Sequence, residues 1–249
     1  MIQTILTVLF CVDTQQYRAT SQKGIFRHLS AYFGVVESQG HGTLHLHILL
    51  WLQNAPSLPE MHYLLKTEYF HLKVVQFLKA NIHTCIPGLD SLAAIRAVSN
   101  DMYVTYSCSP NSSNDNQSYN TECAEYEHHM VHVKQVYICE LCQCLQVNQK
   151  GTLTCKHRAP FEICNEAYVL ETGVWCSKWC YAYINAWNPM VSICGRCNND
   201  LKLLLNGPET INILYYITGY LHRNQQKNHN ILSVVACTLV YHSKHSDYL

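Results

Sequence analysis

His45-Leu46-His47 is the most compact set of metal-ligating side chains in the sequence. Thr43 to Trp51 reads as a β-strand, preceded by a second strand over Tyr32 to Val36 and by the turn Gly40-His41-Gly42, so a β-hairpin is predicted. Alternate side chains of a strand share a face, which sends both imidazoles one way and Leu44, Leu46, Ile48 and Leu50 the other, toward a core. A turn over residues 40–42 sets Glu37 opposite His45 and Gln39 opposite Thr43, all on the histidine face. Two imidazoles with a carboxylate or amide oxygen leave open positions on a divalent ion. Such a site suits Mg²⁺ or Mn²⁺ acting on phosphate, or Zn²⁺ acting on water. The plainer alternative, two polar residues on a half-exposed strand, stays open in a chain with 15 histidines.

Tyr216-Ile-Thr-Gly-Tyr220 is the second constellation. On a helix, residues four apart stand one above the other, so two phenols would project toward a common point. A phenolate can attack a phosphodiester and hold the strand covalently. With 17 tyrosines in the chain, packing is the competing role. The third is Cys139-x2-Cys142-x-Cys144 followed by Cys155, with His132 upstream. Soft thiolates gathered this closely close a loop around a structural Zn²⁺, the alternative being reduced cysteines that pack as small apolar residues.

The elements that must position these groups are unevenly legible. Apolar residues from Ser57 to Ile86 recur near helical spacing, giving one long or two short helices that end before Pro87. Cys108 to Tyr119 is rich in Ser, Asn, Asp and Gln and reads as a flexible loop. Asn206 to Asn224 opens with Gly207-Pro208-Glu209, a helix start, yet Ile211 to Tyr220 is full of β-branched and aromatic residues. Propensity alone leaves that stretch even between helix and strand.

Composition sets the outer bounds. With 249 residues, 48% hydrophobic and 14% charged, the chain is globular and long enough for a core without a disulfide framework. Seventeen basic against 17 acidic residues leave no net charge, so nucleic-acid binding would have to come from local patches. No apolar run approaches the roughly 18–20 residues of a membrane-spanning helix. Met1 to Cys11 lacks a basic n-region and a small-residue cleavage site, so a nuclear or cytoplasmic protein is expected, not a secreted one.

The run from Ala31 to Trp51 resembles the two-histidine motif of the Helitron helicase-like domain, the N-terminal endonuclease-type domain of Helitron rolling-circle transposases. Cys155-Lys-His-Arg-Ala-Pro-Phe161, Tyr183-Ile-Asn-Ala-Trp-Asn-Pro189, Arg196-Cys-Asn-Asn-Asp-Leu-Lys202 and Tyr215-Tyr-Ile-Thr-Gly-Tyr220 are similar to further blocks of that family in the same order. The resemblance implies an α+β fold of the two-histidine rolling-circle endonuclease type, an antiparallel sheet with flanking helices carrying a Cys-rich zinc-like insertion. It implies a first part over 1–100, a polar linker over 101–125, the insertion over 126–165 and a second part with the paired-tyrosine helix over 166–249.

The implied activity is nicking and strand transfer of single-stranded DNA. His45 and His47 would hold Mg²⁺ or Mn²⁺, and Tyr216 and Tyr220 would be the nucleophiles, each leaving a 5′-phosphotyrosine and a free 3′-hydroxyl. Cys139, Cys144 and Cys155 best match the zinc-like insertion. His41 stands where the family usually has Arg, and Arg223 and Asn224 replace the lysines after the second tyrosine, so a cation near the nucleophile is partly kept. The family's first strand motif and its helicase domain are absent, and no Gly-x4-Gly-Lys-Ser/Thr occurs, so a helicase is expected as a separate partner. A remnant without turnover, acting as a zinc-held nucleic-acid-binding module, is the alternative.

Overall fold

The computed structural model describes residues 2–38, 44–98, 110, 115–137, 139, 144–148, 150–155, 159–205, 207 and 210–219. A helical turn, α1 (Ile2–Thr4), runs into a π-helical turn at Ile5–Leu9 and then a short strand pair, β1 (Val12–Asp13) with β2 (Arg18–Ala19). The predicted hairpin follows as β3 (Leu29–Ser38) and β4 (Leu44–Leu52), antiparallel, with Tyr32 opposite Leu50, Val35 opposite His47 and Glu37 opposite His45. The residues between them, Gln39 included, lie outside the described set.

Two short helices come next, α2 (Leu58–Leu64) and α3 (Glu68–Asn81). The Ser57 N–H and hydroxyl both donate to the Glu60 carboxylate at the start of α2, and the Thr67 hydroxyl accepts from the Phe70 N–H to restart the chain as α3. α4 (Leu92–Ala97) and α5 (Asn116–Lys134) follow. The expected loop over Cys108 to Tyr119 is therefore corrected: helix begins at Asn116. Asp115 accepts from the N–H groups of Gln117 and Ser118 as its cap, and the helix is anchored further on by buried Tyr126, Met130 and Val131. Polar composition marked solvent exposure of the first turns, not absence of structure.

β5 (Leu145–Val147) pairs with β6 (Leu153–Cys155), and β7 (Tyr168–Val169) with β8 (Trp175–Cys176), ahead of α6 (Pro189–Gly195) and α7 over residues 210–219. The fold is α+β, with small antiparallel sheets among helices. The described strands form four separate pairs, not the one antiparallel sheet expected. Apart from the hairpin these strands are two or three residues long, too short to add a continuous ladder.

α3 buries Val74 and Leu78 against Val169, Trp179, Ala186 and Leu205, so the early helices and the late segments share one core. A second core gathers Leu9, Phe10, Val12, Phe26 and Leu29, with Ile48, Leu50 and Leu52 of β4 packed on it. The inward face of β4 thus holds only in part: Leu44 is exposed, because that end of the hairpin reaches past the core. A third core joins Leu89 and Val131 to Ile184 and Trp187, whose indole N–H donates to Glu127 at 2.9 Å. Burial pushes the Glu127 carboxyl up, but the hydrogen bonds from His83 and Trp187 outweigh it and hold the group below its ordinary value.

Cys85 and Cys180 form a disulfide across 95 residues, with Cα atoms 5.3 Å apart. This bond is not foreshadowed by the sequence, where the cysteines read as ligands or packing residues, since nothing local to either cysteine shows that these two distant segments meet. No described helix is long and apolar enough to cross a membrane.

The blocks around Tyr183 to Pro189 and Arg196 to Lys202 build a buried polar junction. Asn188 caps α6 by accepting from the Val191 N–H at 3.1 Å and donates its amide to the Asn81 carbonyl at 3.0 Å. Its backbone N–H donates to Asn199, whose amide donates to the Ser192 hydroxyl. Replacing Asn188 by Ala strips the cap and leaves the Asn81 carbonyl without its side-chain donor. It is expected to lower stability by about 2–4 kcal/mol, read as a fall in urea midpoint. A change under about 0.5 kcal/mol would contradict this role.

Candidate functional site

The hairpin register puts His45 and His47 on one face of β4 with Glu37 on the facing strand. The two imidazole centroids lie 4.5 Å apart, and His47 Nε2 stands 3.7 Å from Glu37 Oε2. The His47 side chain is only 10% exposed. Burial, and next the neighbouring His45, push its pKa down, while Glu37 pulls the other way. The result is an imidazole held neutral near pH 7, the form that ligates a cation.

Tyr216 reaches this face from α7. The start of that helix is fixed by a close backbone approach: a Cβ at Gly207 would sit 3.0 Å from the Gly173 carbonyl oxygen. The Thr210 N–H donates to the Gly207 carbonyl, and the Thr210 hydroxyl donates to that of Leu205. Ile217 is buried, while Tyr216 is 55% exposed. Its ring meets His47 edge-on, with centroids 5.5 Å apart and planes at 78°. A phenol from a late helix and an imidazole from an early strand therefore share one site. The stretch that propensity left undecided is helical over 210–219, and Tyr220 and Arg223 lie outside the described residues.

Glu37 and His47 approach closely enough to share a cation, with His45 beside them. The set is looser than a closed metal centre. Among the described residues the one group of three or more ligand atoms all within 4.8 Å of one another is Cys139, Cys144 and Cys155.

That thiol group is held by the β5–β6 pair, where Leu145 faces Cys155 and Cys144 sits buried just before β5. The Tyr137 hydroxyl lies 3.3 Å from Cys155 Sγ. Removal from water, and then hydrogen bonding with Cys155 and Cys144, pushes the Cys139 thiol up to about 12. The three sulfurs could hold a metal ion, and an all-thiol set is compatible with zinc. His132 does not join them. Its Nε2 lies 3.0 Å from the Ile95 carbonyl, because this part of α5 packs toward α4. This corrects the expectation that it is a zinc ligand.

Compared with protein-family models, with curated proteins and with solved structures, the chain matches none.

Proposed function

We propose that this chain nicks and transfers single-stranded DNA in the manner of the Helitron rolling-circle transposases it resembles, through a tyrosine phosphodiester. The observation that carries the reading is the Tyr216 ring lying against His47, two residues that the sequence separates by most of the chain. His45, His47 and Glu37 would hold Mg²⁺ or Mn²⁺, which when bound neutralises charge developing on the scissile phosphate. Tyr216, half-exposed, is open to a strand laid along the histidine face. As its oxygen bonds to phosphorus it loses a proton, and the departing 3′-oxygen takes one up, leaving a 5′-phosphotyrosine and a free 3′-hydroxyl. His47 packs the phenol in place, an orienting contact that turns an encounter into an aligned attack. In the same reading Cys139, Cys144 and Cys155 bind Zn²⁺ as a structural clip, and a helicase acts as a separate partner.

The test uses the full chain and a single-stranded oligonucleotide labelled at its 3′ end. Label that migrates with the protein through denaturing electrophoresis, dependent on Mg²⁺ or Mn²⁺ and lost with EDTA, is the expected result. Free cleavage fragments with no labelled protein would replace the tyrosine mechanism with water attack.

A further inference from the structure

Beyond His47 the same face of β4 continues through Leu49 to Trp51, opposite Phe33 and Ala31 on β3. Trp51 is 47% exposed, whereas Trp179 and Trp187 are buried. Trp175 is half-buried and donates its indole N–H to the Leu203 carbonyl. The opposite face of β4 has its cover in the core that Ile48, Leu50 and Leu52 join. An open indole therefore stands on the face that also carries the imidazole pair and receives Tyr216.

Cationic chemistry lies at the same end of the hairpin. The Gln53 N–H donates to the His28 carbonyl at 2.8 Å, and the Ser30 hydroxyl donates to the Trp51 carbonyl at 3.2 Å. These bonds hold His28 and Ser30 against the end of β4, and Arg27, next to His28 in the chain and bonded through its backbone to Gly24, is exposed. Among the described residues Arg27 pairs with no carboxylate. An aromatic plane for a base with a guanidinium for the adjoining phosphate is how proteins grip unpaired nucleic acid.

We propose that Trp51, with the exposed Arg27 from the same end of the hairpin, binds an unpaired nucleotide of the single strand whose phosphate Tyr216 attacks. The proposal rests on the nicking reading and names the residues that hold its substrate. Trp51 lies four residue steps beyond His47, about 13 Å along an extended strand. That is about four nucleotides at the 3.4 Å spacing of stacked bases. Trp51 thus grips the strand a few nucleotides from the bond that breaks, and it acts on binding, leaving the chemical step to Tyr216.

The experiment titrates the full chain with a short oligothymidine, following tryptophan emission and, with a labelled oligonucleotide, anisotropy. Wild-type emission is expected to fall on binding. Trp51→Phe keeps affinity within about threefold but loses the quenching, and Trp51→Ala weakens affinity about 5- to 150-fold, the range of one lost stacking partner. Arg27→Ala weakens binding and flattens its salt dependence. At saturating oligonucleotide Trp51→Ala still forms the labelled adduct, whereas Tyr216→Phe binds normally and forms none. Trp51→Ala binding within twofold of wild type, or quenching that survives in Trp51→Phe, overturns the proposal even if the adduct forms. Normal binding through Trp51 with no adduct leaves the stacking site standing and removes the nuclease. Emission unchanged by oligothymidine, with Trp51 instead needed for self-association, assigns the face to a protein contact and also overturns it.

Discussion

Tyr216→Phe is expected to abolish the labelled protein–DNA adduct, a fall of at least about a thousandfold, while leaving the chain folded. Removing the phenol assigned to the first cut costs on this scale. The change takes away one oxygen and keeps the ring that meets His47 edge-on, so the packing of α7 through buried Ile217 is preserved. A half-exposed position changed this conservatively shifts stability by no more than about 0.5 kcal/mol. Tyr215→Phe is the internal control: at 74% exposed it is the more open of the two neighbours, and adduct formation is expected to persist. Tyr220→Phe separates the two steps, since a single cut needs one phenol and strand transfer needs both. Mass spectrometry of the digested adduct decides the assignment. Phosphotyrosine of the first cut found on any residue other than Tyr216, or an undiminished adduct in the double variant, would sink the mechanism.

The hairpin was legible because a strand's period is two and its register follows from its turn. Alternation set both histidines on one face, and pairing about residues 40–42 put Glu37 across from His45, as found. The meeting of His47 with Tyr216 had no such local signature. It depends on how α7 leaves the Gly207–Gly173 approach, a long-range fact that spacing cannot encode. The same gap explains the Cys85–Cys180 bond, whose partners belong to different segments. It also explains His132, which is near the cysteines in sequence but turned toward Ile95 by its helix. Propensity left the 210–219 stretch undecided for another reason: β-branched and aromatic residues favour strands when half-buried on a sheet, and here no partner strand exists among the described residues, so the helix implied by the resemblance stands. Asn188 and Asn199 show that a distinctive block need not be a site. Their side chains satisfy buried backbone and hydroxyl groups where three segments converge.

Stripping metal from the chain should unfold the Cys139 to Cys155 region while the main cores survive. Structural zinc contributes folding energy outright, about 10–16 kcal/mol of apparent binding energy in small zinc modules. β5 and β6 are three residues each, a pair that is marginal without a clip. The large cores draw instead on α3, α5 and the segments from Val169 to Leu205, which do not include the three thiols. Metal analysis of the purified chain is expected to give about one zinc, lost on chelation or in Cys155→Ser. Amide exchange should then accelerate over 145–155 and remain slow in the buried turns of α5. His132→Ala is expected to keep its zinc, because its ring bonds the Ile95 carbonyl and stands apart from the sulfurs. Cys139, now a thiol hydrogen-bonded to Cys155 and Cys144, must surrender its proton on binding, so zinc uptake releases acid and weakens as pH falls. Zinc retained in Cys155→Ser, or exchange over 145–155 indifferent to chelation, would reduce the three sulfurs to a packing cluster and leave the insertion without its clip.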